Sequence, residues 1–249
     1  MPVRHHQQHP VRTPIMSGVY AYVELVYRPQ NHHCRRLIMH AKFGITVLAA
    51  LAVSSLAITQ DTAAQANPAQ NHVGHVADGF RGTPDGVGLL DAAIAEAGVA
   101  AQHAGFAARD PSNLDGMKRH MGHVLHALNP EEVESGPGAG YGVVAAAGGV
   151  ARHIDLAASS DGASDALKTH ANHVSTAAQN TVETATQMIE LAKSIQDATS
   201  ASDAAGLVSQ LAELGGQLTA GAGSGWQEGG LDAAQQHLGF ITREEELEN

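Results

Sequence analysis

One cysteine, Cys34, is the whole thiol inventory of this 249-residue sequence. A lone thiol closes no disulfide within the chain, and without a Cys-x-x-Cys-His run there is no covalent c-type haem attachment. Long hydrophobic runs are nearly missing as well. The exception is 43–58, FGITVLAALAVSSLAI, whose 16 uncharged residues fall short of the roughly 20 needed to cross a bilayer. Lys42 precedes it, and a polar spacer leads from it to Ala64, Gln65 and Ala66. A positive flank, a short apolar segment and a small-x-small site are the three parts of a secretory signal. Residues 39–66 therefore read as a signal peptide cleaved after Ala66, with Met39 as its natural start. Residues 1–38 read as an over-called or extended N-terminus. Arg35 and Arg36 offer a second export route, the twin-arginine one. Either way the expected location is periplasmic or secreted, with no stable membrane insertion once the signal is gone.

Positive charge is scarce beyond that site. Residues 67–249 carry eight basic side chains against 23 acidic ones, a net charge of −15. Such a balance excludes nucleic acid and anionic membrane surfaces as partners and suits cations. Aromatics are only 4% of the chain, so the core has to be built from small side chains at close helix contacts. About 183 residues suffice for one domain with a core of its own.

Alanine, the best helix former, is abundant, and the alanine-rich tracts are broken at turn residues. A short segment occupies 70–79, ended by Gly79 and by Gly82, Thr83 and Pro84. A helix follows from about Gly88 to Ala108. Asp110 and Pro111 look like the cap and first position of a second helix, which ends at Asn129 and Pro130. A third spans about Tyr141 to Ala158. The longest runs from about Ser164 to Ala198, and a shorter one from Asp203 to Leu218. Leu231 to Leu238 adds a last short helix. No strand alternation competes. The expected fold is all-α: an antiparallel helical bundle built from a duplicated helical hairpin of about 50 residues, placed after a signal peptide. The bundle is assigned to 67–220, and 221–249 to a Gly-rich tail with a short helix and an acidic terminus.

The duplication is read from a shift of 50. It aligns AGVAAQHAGFAA, from Ala97, with AGGVARHIDLAA, and DGMKRHMGHV, from Asp115, with DALKTHANHV. His103 falls on His153, His120 on His170 and His123 on His173. A partial upstream copy, His72-Val73-Gly74-His75-Val76, matches the run starting at His120.

Histidines three apart on a helix lie one turn apart on the same side, where two imidazoles can share one ion and a facing helix can supply a third. The candidate metal ligands are therefore His72, His75, His103, His120, His123, His126, His153, His170 and His173. Zinc, copper or nickel suits such imidazole sets. Each hairpin is expected to form one site, a histidine of its first helix meeting the pair of its second. A b-type haem electron carrier with two axial histidines is the alternative, and a cofactor-free structural or interaction protein of the cell envelope is the third. His237 stands outside the repeat and reads as structural. The Glu-x-x-His pattern of di-iron bundles is missing, and no nucleophile–base–acid set or dinucleotide fingerprint is present, so no enzyme activity is expected.

Overall fold

The structure is a computed structural model that describes residues 67–248. The N-terminal extension and the signal peptide read from the sequence lie outside the described residues. The described residues form one compact unit. Within it are seven α-helices and, among the described residues, no strand: α1 (Pro68–Ala77), α2 (Leu89–Ala108), α3 (Leu114–Leu128), α4 (Val143–Ser159), α5 (Asp165–Asp197), α6 (Ala201–Ala220) and α7 (Leu231–Glu248).

Local chemistry explains most of the boundaries. Asn67 caps α1, its Oδ1 accepting the Ala69 N–H at 3.0 Å, while its Nδ2 donates to the Gly162 carbonyl at 3.1 Å and ties the helix to the α4–α5 turn. Ser164 and Ser200 cap α5 and α6 through hydroxyls that accept the Leu167 and Asp203 amides. The start of α3 differs from the sequence expectation. Asp110 spends its Oδ1 on the Ser112 amide (3.2 Å) and hydroxyl (2.6 Å), which folds a tight turn. Asn113 becomes the cap, accepting from Gly116 at 2.8 Å. The last helix also outruns its expected end at Leu238 and continues to Glu248.

The helices pack as the alanine content requires. On α2 the residues Ala93, Ala97, Ala100, Ala104 and Ala107 recur every three or four positions and are at most 2% exposed. Stripping that face to methyl groups lets α6 come close. A Cβ on Gly215 of α6 would lie 3.1 Å from the Ala101 Cα. Helices α2 and α3 pack as a hairpin, as do α4 and α5, while α6 lies against both α2 and α5. Two further contacts place the functional groups: α1 lies along α4, and α7 along α5. Leu231, Ala234 and Ile241 of α7 are fully buried in the same core as Ile195 and Leu218.

Candidate metal centres

Nine of the ten histidines after Ala66 fall into three clusters of three: His72, His75 and His153; His103, His120 and His123; His170, His173 and His237. Every one of them is half-buried. Each cluster combines a His-x-x-His pair on one helix with a single histidine from a neighbour. The pair and its partner come from α1 and α4, from α3 and α2, and from α5 and α7.

The geometry repeats closely. The Nδ1 atom of the single histidine faces the Nδ1 atoms of both pair members in every cluster. For His153 the separations are 3.0 Å to His72 and 3.3 Å to His75. For His103 they are 3.0 Å to His120 and 3.2 Å to His123. For His237 they are 3.0 Å to His170 and 3.2 Å to His173. Three nitrogens sharing one tetrahedral zinc at about 2.0–2.1 Å would stand roughly 3.3–3.4 Å apart; the central separations come close to that, and all three ligand atoms of each cluster lie within 4.8 Å of one another.

Hydrogen bonding alone serves this arrangement poorly. An imidazole nitrogen carries either one proton or one in-plane lone pair, so it makes one good bond, not two. The central nitrogen of each cluster faces two others and can satisfy one of them. A cation at the centre would take a lone pair from all three.

The electrostatics favour the form that ligates. Burial holds His103, His153 and His237, the central members, below the ordinary imidazole pKa, and the two neighbouring imidazoles of each cluster push the same way. His120 is lowered too, first by burial, then by His123 and by the charges of Arg119 and Arg109. Neutral imidazole is the species that binds metal.

Aromatic side chains complete the sites. Residues 67–249 hold five Phe, Tyr and Trp residues, and four of them pack on these clusters. Phe80 lies 5.4 Å from His75 and 5.3 Å from His153 between ring centroids. Phe106 sits 5.4 Å from His103 and 5.6 Å from His120. Phe240 packs 5.1 Å from His170, and Trp226 stacks 4.3 Å from His173. A chain this poor in aromatics has placed them as walls that fix imidazole rotamers. Phe80 is delivered by the loop after α1. Thr83 pins that loop, its one hydroxyl proton shared between the Phe80 and Val87 carbonyls at 2.7 and 2.5 Å.

The partnering differs from the sequence expectation in two of the three cases. The α2–α3 hairpin forms its cluster internally, as expected. The α4–α5 hairpin does not. Helix α1 covers the histidine face of α4 and α7 covers that of α5, so His153 joins His72 and His75, while His170 and His173 join His237. His237, taken from the sequence as a structural residue, is thus the central member of a cluster. A sequence signal for it exists: His237-Leu238-Gly239-Phe240-x-x-Arg243 repeats His103-Ala104-Gly105-Phe106-x-x-Arg109. Conversely, His126 lies in none of the clusters. Another 300° of helix carries it away from the site and under the loop after α3, where it is 6% exposed and its Nδ1 donates to the Val133 carbonyl at 2.7 Å.

Glu96 is a functional-looking residue that has a local task. It is 1% exposed, and its Oε1 accepts the amides of Tyr141 and Gly142 at 2.9 and 3.4 Å. Together with His126 it pins the 130–142 loop onto the bundle. No described helix is long and apolar enough to cross a membrane. Comparison with family models, with characterised proteins and with solved structures finds no match.

Proposed function

We propose that this protein is an exported, periplasmic transition-metal-binding module that holds up to three divalent ions, zinc, copper or nickel, one at each tris-histidine cluster. The observation that carries the reading is the threefold recurrence of three facing Nδ1 atoms, with the central pairs 3.0–3.3 Å apart. One such cluster would be a weak argument. Three, each with an aromatic wall and each assembled from a different helix pair, argue for a selected site. The same distances disfavour the haem alternative. Two axial nitrogens on opposite sides of a macrocycle stand roughly 4 Å apart, twice a metal–nitrogen bond of about 2 Å, and a third imidazole would have no place there. The signal-like 39–66 segment supports export, and a net charge of −15 after Ala66 supports attraction of cations over polyanions.

The test is a metal count on residues 60–249, a stretch that contains the compact unit of every described helix. After dialysis against zinc, copper or nickel, three ions per chain are expected by elemental analysis. His103→Ala, His153→Ala and His237→Ala should each remove one. A protein that retains no ion, or whose ion count ignores these substitutions, would refute the reading.

A further inference from the structure

Three imidazoles are an incomplete coordination shell. Among the described residues no fourth histidine, cysteine, aspartate or glutamate joins any of the clusters. All nine ligands are half-buried, so none of the clusters is sealed from solvent. Three protein ligands and an open position is the arrangement of zinc sites that take a ligand from solution.

Two of the sites carry an arginine on the phenylalanine that walls them, and the charge of Arg109 is felt at His120. Three residues beyond Phe106, Arg109 lays its guanidinium over the phenyl ring at 4.5 Å from the centroid. Three residues beyond Phe240, Arg243 does the same at 5.1 Å. The corresponding positions on α4 are Leu156 and Ser159, so the register that supplies Phe and Arg at two sites is broken at the third. Arg152, the residue before His153, is the charge felt there.

A guanidinium next to a divalent ion held by neutral imidazoles is a mutual repulsion with no carboxylate in the cluster to offset it. The same pair of charges is attractive to anything negative that sits between them. Guanidinium is also the side chain best suited to small oxyanions and carboxylates.

Resting on the metal-binding reading above, we propose that the α2–α3 and α5–α7 centres take their fourth ligand from solution as a small anion, bound jointly by the metal ion and by Arg109 or Arg243. The occupant is inorganic or a carboxylate, one that a metal and a guanidinium can share. The two arginines act as positioning residues for that anion and not as metal ligands.

Azide on copper(II)-loaded protein is the probe, because its binding to the ion produces a charge-transfer absorption band. A single-site form of residues 60–249, His153→Ala with His237→Ala, leaves only the α2–α3 centre. Azide titration of that form should saturate at one equivalent per copper. Arg109→Gln should weaken azide at least fivefold while copper affinity holds or rises, because a repelling charge has gone. Arg109→Lys should recover part of the loss. Arg109 is exposed, so neither variant threatens the fold. Copper binding without azide binding, or with azide affinity indifferent to Arg109→Gln, overturns this proposal alone. Failure of the single-site protein to bind copper overturns the metal-binding reading and this proposal with it.

Discussion

His123 and His126 stand one turn apart on α3 and end in different environments. His123 points its Nδ1 at His103, and His126 points its own at a loop carbonyl. Spacing alone makes them alike, since each extends a series of three. The loop after α3 separates them. Each step of three residues turns the side chain 60° short of a full circle, which carries His126 away from His103 and under Val133 and Gly136 of that loop, where it is 6% exposed. His126→Ala therefore has a predictable signature. The Val133 carbonyl loses its donor and a cavity opens beneath Gly136, for a cost of roughly 1–3 kcal/mol. Metal stoichiometry should stay at three. Urea melts of the variant paired with elemental analysis check both halves, and a lost ion would return His126 to the ligand set.

At the scale of elements, α2 and α6 show how a core without aromatics is held. Close approach replaces side-chain bulk, and glycine sets the limit of that approach. Gly215 and Gly216 are neighbours on α6 with opposite prospects. The first meets the Ala101 backbone, and a Cβ on the second meets nothing within 4 Å. Gly215→Leu should force the helices apart and cost roughly 1–3 kcal/mol. Gly216→Ala should stabilise by up to about 1 kcal/mol through helix propensity alone. Denaturant midpoints at constant slope decide it. Equal effects at the two positions would mean that the α2–α6 contact is looser than described.

The elements were also what the sequence displayed best. Alanine tracts and the glycine and proline breaks belong to local chemistry, and local chemistry marks every helix but α7 to within a few residues. The Asp110 turn escaped because a carboxylate followed by Pro and Ser serves a turn as readily as a cap. The histidine pairs were visible for the same local reason, since three residues on a helix is a short-range relation. Which single histidine meets which pair is a tertiary question. His103 to His120 and His153 to His170 are both 17 residues apart across a hairpin, yet only the first pair meets. The choice depends on where α1 and α7 dock, and no spacing within the hairpin encodes that.

For the whole molecule, the three clusters link stability to pH and to metal in one direction. His103, His120, His153 and His237 have pKa values lowered below 6.5 in the folded chain. The unfolded chain, with ordinary imidazoles, then binds more protons wherever the two states differ. Stability contributed by these neutral histidines is complete above about pH 6.5 and falls as pH drops through the folded pKa values. Metal adds to the same slope, because an ion binds only the deprotonated set. At a free-ion concentration one hundred times the dissociation constant, each occupied site contributes about 2.7 kcal/mol. Thermal melts of residues 60–249 should therefore show a metal-free midpoint that is flat from pH 8 to 7 and declines from pH 6.5 to 5. The metal-loaded midpoint should lie above it at pH 7.5 and converge with it on acidification. Chelator should erase the difference at any pH. In a variant with His103, His153 and His237 all replaced by glutamine, the two curves should coincide and the acid slope should flatten. If the metal-free protein instead gained stability below pH 6.5, the central imidazoles would have to be protonated in the fold, and facing cations 3 Å apart would need counter-charges that the clusters do not contain.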